Sequence, residues 1–287
     1  MQSSFCAWWR RLPVFLKLAA LFVAAYLLAV GFMWLIHPQL LFMSSMPTRT
    51  VVTTPEEHGM KYHELRIATD DGETLHAWFV PSDDARGTVL FSHGSIGNIS
   101  QRIDALRIWH ELGFDVLIFS YRGYGQSTGR ASEDGIHRDA EAVWQWLMDE
   151  RGVAPEEMVL FGHSLGAAVA TRLAAHRSPG ALVLEAPFIS VPELGADRYP
   201  WLPARRLARL DFPVAELVSE VDSPVMVIHS REDEVVPFRH GEAVYEAAPM
   251  PKRFLELTGS HTKAFLENED TYVESVDAFL SSAGFER

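Results

Sequence analysis

Hydrophobic and polar positions follow two different rules along the chain. From Val14 to Ile36 the residues are apolar on every side of a helical wheel, with one charge, Lys17, near the start. From about residue 60 onward, short apolar runs alternate with longer stretches in which apolar residues recur every three to four positions. The first rule predicts a helix that faces no water. Its 23 residues would reach roughly 34 Å, enough to cross a hydrocarbon layer of about 30 Å. The second rule predicts strands at 62–68, 75–80, 88–92, 115–119, 158–162, 181–185, 224–228 and 252–257, the first two joined by the Asp71-Gly72 turn signal. Helices are predicted near 99–112, 133–150, 165–176, 238–248 and 272–282. Such alternation means an α/β fold, a mostly parallel twisted sheet of about eight strands with helices on both faces.

The organisation that follows is an N-terminal segment, 1–37, carrying a transmembrane helix at about 14–36, a connector at 38–59 punctuated by Pro38, Pro47 and Pro55, and one doubly wound domain at 60–287. Trp8 and Trp9 precede the apolar run and Trp34 lies near its far end, where amphipathic rings favour a membrane interface. A cleaved signal peptide is the rival reading, since Ala29 and Gly31 offer small residues for cleavage, but the apolar run continues past them to Ile36. Arg10, Arg11 and Lys17 precede the run and Arg49 is the nearest base after it, so the positive-inside bias puts the short N-terminus in the cytoplasm and the body on the extracytoplasmic side.

Charge narrows the choice of partners. Of 25 bases and 38 acids, three bases and no acid lie in residues 1–46, which leaves the body 22 bases against 38 acids. That surface would be repelled by a phosphate backbone, and no nucleic-acid partner is expected. The lone Cys6 allows no intramolecular disulfide and no cysteine-based zinc site, and on the cytoplasmic side a single thiol is unexceptional. His58, His63 and His76 have no metal-ligand spacing, so no metal or cofactor is expected.

The chemistry is written between strand 158–162 and the helix that follows it. Gly162-His163-Ser164-Leu165-Gly166 places a serine on a tight strand-to-helix turn, with small residues two positions either side and the Leu165 N–H aimed at a developing oxyanion. The pattern recurs at Gly125-Gln126-Ser127-Thr128-Gly129, where no strand and helix flank it, so Ser127 reads as part of a structured turn bordering the site. A serine hydroxyl needs a histidine to take its proton and an acid to steady that imidazole. Asp233, past strand 224–228, and His261, past strand 252–257, lie on the same sheet edge as Ser164. Glu232 and Glu234 flank Asp233 and would serve if the loop were shifted by one. The loop His93-Gly94-Ser95-Ile96-Gly97-Asn98 follows strand 88–92, where the Ser95 N–H could complete an oxyanion hole; Asn98 or Ser100 could equally cap the next helix.

Taken together, HGSIGN at 93–98, YRGYGQSTG at 121–129, GHSLG at 162–166, DEVVP at 233–237 and GSH at 259–261 make the chain resemble an α/β-hydrolase across about 60–285, most similar to single-pass, membrane-anchored YfhR-like serine hydrolases. The resemblance implies a Ser164–His261–Asp233 triad that hydrolyses a carboxylic ester or thioester of an acyl, possibly lipid-derived, substrate through an acyl-enzyme. It also implies a small cap insertion at about 191–223, where Tyr199-Pro200-Trp201-Leu202-Pro203 and Arg205, Arg206 and Arg209 suggest an acyl chain with an anionic neighbour or, equally, a helix with a solvated basic face. The sequence departs from the family pattern at Ser95, Ser120 and Ser230. A peptidase of the same fold and an inactive membrane-tethered scaffold are the competing functions.

Overall fold

The structure, a computed structural model, describes residues 13–286. The expectations resting on Cys6, Trp8, Trp9, Arg10 and Arg11 lie outside the described residues. Eight strands form one sheet: β1 His63–Ala68, β2 Thr74–Val80, β3 Thr88–Ser92, β4 Asp115–Phe119, β5 Met158–His163, β6 Ala181–Glu185, β7 Val225–Ser230 and β8 Lys252–Leu257. Their order is β1-β2-β4-β3-β5-β6-β7-β8. β2 runs antiparallel to β1 and to β4, and the strands from β4 to β8 are parallel.

The inner strands are apolar on both sides because there is a core on both sides. In β5, Met158 and Leu160 enter one core while Val159 and Phe161 enter the other; Leu182 and Leu184 of β6 alternate with Ala181 and Val183 in the same way. A strand buried on both faces reads as an unbroken apolar run. The edge strands differ. β1 carries Glu64 and Arg66, β8 carries Lys252, Arg253 and Glu256, and both are partly exposed, which discourages pairing with another chain.

The helices are α1 Val14–Phe42, α2 Ile103–Glu111, α3 Glu133–Arg151, α4 Leu165–Arg177, α5 Val191–Arg198, α6 Ala204–Leu207, α7 Val214–Leu217, α8 Arg239–Ala247, α9 Ala264–Glu267 and α10 Glu269–Ser282. Their ends follow from local chemistry. Asn98 caps a short 3-10 turn ahead of α2, its side chain accepting the Ser100 N–H at 2.9 Å. Ser132 caps α3, and Gly152, at φ +68°, closes it. Helices α5, α6 and α7 form the small cap between β6 and β7.

The largest departure from expectation is at the end of α1. Pro38 in the sequence predicts the start of a connector, yet the helix continues through it to Phe42. Proline removes one backbone donor, but the turn that follows has a core to enter. Phe42 is 4% exposed and meets Phe212 edge-on, ring centroids 6.4 Å apart, and the Tyr124 hydroxyl donates to its carbonyl. Residues 46–52 are also fastened rather than loose. The Gly97 N–H donates to the Met46 carbonyl at 2.8 Å, the Asn98 amide donates to the carbonyls of Thr48 and Thr50 at 3.3 and 3.1 Å, and Arg49 donates to the carbonyls of Gly125 and Ser127 at 3.1 and 2.9 Å.

Candidate active site

Ser164 sits at the junction of β5 and α4 with φ +55° and ψ −115°, in the left-handed half of backbone space that non-glycine residues avoid. The neighbours that allow this have no side chains to spare. A Cβ on Gly162 would fall 2.2 Å from the Gly166 carbonyl oxygen, and one on Gly166 would fall 1.8 Å from that of Ser92 on β3. Strand, turn and helix therefore approach more closely than any larger residue permits. The Ser164 N–H donates to the Glu185 carbonyl at 2.9 Å, tying the turn to the end of β6.

Two loops, after β7 and β8, converge on the side of Ser164 from the same edge of the sheet. His261, in the loop after β8, has its Nε2 3.1 Å from the Ser164 hydroxyl oxygen and its Nδ1 2.7 Å from Asp233 Oδ2. With the ring proton on Nδ1, that nitrogen donates to the carboxylate and Nε2 accepts from the serine. Asp233, in the loop after β7, has its other oxygen filled by the N–H groups of Val235 and Val236 at 2.9 and 2.7 Å. Burial pushes the Asp233 carboxyl up, but hydrogen bonds from His229 and His261, the His261 charge and the Val236 N–H outweigh it and hold the group well below the usual carboxylate range.

The flanking acids have other partners. Glu232 accepts the Gly259 N–H at 2.8 Å and Glu234 accepts the His261 N–H at 3.0 Å, so both fix the histidine loop through its backbone while Asp233 reaches the ring. Ser127 is turned inward at 1% exposure; its hydroxyl donates to the Ser120 carbonyl at 2.6 Å and accepts the His76 N–H at 2.9 Å. Ser95 and Leu165 line the same cavity as Ser164. Leu165 is the first residue of α4, whose opening N–H groups have no acceptor within the helix. Asn98, rather than Ser100, is the cap at the end of the Ser95 loop.

Beneath His261 lies a buried polar layer that the sequence did not announce. His163 donates from Nε2 to the His261 carbonyl at 3.1 Å and sits 3.9 Å from Glu185, whose carboxylate accepts the Tyr272 hydroxyl at 3.1 Å. Burial, joined by the charges of His261 and Arg102, pushes His163 down to about 3, and burial pushes Glu185 up to about 7. The one available sequence signal was Glu185 itself, a charged residue closing an apolar strand.

Above Ser164 is a cavity of about 360 Å³. Leu165, Phe188, Val191, Leu194 and Val236 make its inner surface, the cap supplies Tyr199 and Leu202, and α1 supplies Val30, Met33 and Leu41. Arg198 and His37 are basic residues that line it, and no carboxylate lines it among the described residues. The cap arginines singled out from sequence have different duties. Arg205 is paired with Glu193 at 2.6 and 2.9 Å, Arg209 lies over the Trp34 ring at 4.7 Å, and Arg206 is exposed.

A family profile described as "Serine aminopeptidase, S33" matches residues 83–213. An uncharacterized protein of Mycobacterium tuberculosis is 40% identical over 221 residues, covering 76% of this chain and 79% of that one. Alpha/beta hydrolase domain-containing protein 17C of Xenopus tropicalis is 33% identical over 220 residues, covering 76% and 69%. Among solved structures, the Pyrococcus furiosus esterase Pf2001 superposes with a TM-score of 0.70 at 20% identity over 81% of this chain and 96% of that one, a likeness of fold.

Proposed function

The chain belongs to the α/β-hydrolase family, and on that premise we propose that it cleaves carboxylic esters or thioesters of acyl substrates through an acyl-enzyme on Ser164. The observation that carries the reading is the unbroken line from Ser164 Oγ through the His261 ring to Asp233, with contacts of 3.1 and 2.7 Å. In the first step His261 Nε2 takes the hydroxyl proton as Oγ bonds to the acyl carbon. The N–H groups of Leu165 and Ser95 receive the oxyanion, and the Asp233 carboxylate steadies the imidazolium. Collapse breaks the bond to the leaving group, which departs with the proton from His261. Water, deprotonated by the same nitrogen, then releases the acid and restores Ser164.

A peptidase reading is favoured by the description of the matching family profile. An aminopeptidase must hold a free α-ammonium group, and here such a group would meet an apolar cavity lined by the bases Arg198 and His37 and, among the described residues, by no carboxylate. That lining favours an acyl chain. The deciding experiment labels the full-length protein with a fluorophosphonate and follows p-nitrophenyl acyl esters beside aminoacyl p-nitroanilides. Ser164→Ala should remove labelling and lower kcat by ~10⁶-fold, by analogy with subtilisin. Faster release from an anilide than from any ester would reverse the choice, and a folded protein that never labels would leave a scaffold.

The helix Val14–Phe42 is long and apolar enough to cross a membrane. We propose that it is an uncleaved single-pass anchor with the body on the extracytoplasmic side. Contacts on both sides of the small-residue site at Ala29 and Gly31 support retention: the Tyr26 hydroxyl donates to the Trp201 carbonyl at 3.1 Å, and His37 Nδ1 accepts the Arg209 N–H at 3.3 Å. In intact cells a membrane-impermeant thiol reagent should then fail to reach Cys6; labelling from outside would invert the topology.

A further inference from the structure

One face of α1 is turned toward the catalytic domain, and it is the face that carries Tyr26, Val30, Met33, His37 and Leu41 at helical spacing. Val30, Met33, His37 and Leu41 line the cavity that has Ser164 at its floor. Tyr26, one turn before them, is bonded to the backbone of the cap, and Trp34, at the cavity rim, lies under the Arg209 guanidinium. Without α1 the cavity has no wall on that side. Fixed in this way, the helix end closes a space that the cap alone leaves open.

Position along the helix gives the wall its setting. About 20 residues cross a 30 Å hydrocarbon layer, and from Val14 that number ends near Met33. The wall, from Val30 to Leu41, therefore straddles the point where the helix leaves the hydrocarbon. Trp201, whose carbonyl accepts the Tyr26 hydroxyl, is 50% exposed, and the cap stretch 198–209 carries four arginines, of which Arg205 is paired with Glu193 and Arg209 covers the Trp34 ring. An indole beside the point where a helix leaves the hydrocarbon is the arrangement a membrane interface favours.

We infer that α1 forms a wall of an acyl-binding subsite whose mouth opens at the bilayer, so that the substrate is a long-chain acyl ester drawn from the membrane. This rests on the hydrolase reading above and adds a substrate class to it. The chain would lie between α1 and the cap with its carbonyl carbon at Ser164, and Arg198 would face the polar group at the mouth. Each methylene buried there should raise kcat/KM roughly fourfold until the cavity is full.

The test uses the detergent-solubilised full chain, p-nitrophenyl esters from acetate to palmitate, and fluorophosphonate labelling as the check that the site is assembled. Met33→Trp fills the cavity from the α1 side and should lower the ratio of long-chain to short-chain kcat/KM by roughly tenfold or more. Met33→Ala, which only removes atoms, should move the optimum to longer chains and carries the test if the larger side chain prevents assembly. Leu28→Trp, on the exposed opposite face of the helix at 75% exposure, should keep the wild-type profile. If both Met33 variants keep the wild-type profile, or if Leu28→Trp shifts it equally, the wall does not exist, while loss of turnover in Ser164→Ala leaves the hydrolase reading intact. If the wild type neither labels nor turns over any ester, the hydrolase reading fails and this inference fails with it.

Discussion

Asp233 Oδ2 lies 2.7 Å from His261 Nδ1, and the N–H groups of Val235 and Val236 hold the other oxygen of the same carboxylate. The acid is locked to its own loop before it touches the histidine, so its orientation does not depend on the ring it steadies. Replacing Asp233 by Asn should keep the fold and lower kcat on the order of 10⁴-fold, as in the chymotrypsin-type precedent, by favouring the wrong tautomer of His261. Glu234→Gln keeps an oxygen for the His261 N–H and should stay within about tenfold of wild type. Steady-state kinetics on one acyl ester decide it; a Glu234 loss as large as that of Asp233 would reassign the acid.

Ser127 should matter to stability and not to chemistry. Its hydroxyl joins the Ser120 carbonyl to the His76 N–H in a buried setting, so Ser127→Ala leaves both unpaired. A cost of about 1–3 kcal/mol is expected in the unfolding free energy, with fluorophosphonate labelling retained. Labelling lost from Ser127→Ala and kept in Ser164→Ala would exchange the two serines.

The glycines of the elbow should be intolerant for a steric reason. Gly166→Ala places a methyl 1.8 Å from the Ser92 oxygen, and no side-chain movement relieves a clash with backbone. A loss of more than ~4 kcal/mol is expected, enough to prevent recovery of folded protein. Gly152→Ala is the comparison: the site has φ +68° but nothing within 4 Å, so the cost should be about 1 kcal/mol, read from thermal unfolding. Comparable losses at both positions would mean that the elbow is looser than its distances imply.

Stability should fall toward acid. Burial pushes His93 and His137 each down to about 3. Unfolded, each takes a proton near pH 6.5. Between those values the unfolded chain binds more protons, so each histidine removes about 1.4 kcal/mol per pH unit as pH falls below 6.5. The buried acids act the other way. Glu185, raised to about 7, and Asp139, raised to about 6, gain protons in the fold that the unfolded chain does not yet hold. The net slope is therefore gentler than the histidines alone would give. His137→Leu should reduce the slope between pH 5 and 6 by about one proton, measured as denaturant midpoints across pH. An unchanged slope would mean that His137 titrates in the fold as it does in water.

Most of the sheet could be read from the chain because the inner strands are short apolar runs closed by glycine, proline or a cap, and each strand falls within two residues of its expected place. The residues proposed for the site could be listed from the sequence because the C-terminal ends of parallel strands converge, and in the structure residues 97 positions apart in the chain lie 3.1 Å from each other. The role of α1 was not legible. A side chain that faces lipid and one that faces an apolar cavity are chemically alike, so a helix apolar all round gives no sign of which stripe is packed against protein. The end of the helix was hidden for a related reason: Pro38 signals a stop, while the burial of Phe42 that outweighs it depends on Phe212 and Tyr124, far away in sequence.

The fastening of residues 46–52 sets a limit on where the chain can be shortened. Cutting the chain at residue 60, where the strand pattern begins, would strip the Met46 carbonyl from Gly97, the Thr48 and Thr50 carbonyls from Asn98, and Arg49 from the Ser127 turn. The loop bearing Ser95 would then lose its outer support while every strand of the sheet remained. A truncated body of that kind would keep its overall shape and still be a poor stand-in for the enzyme.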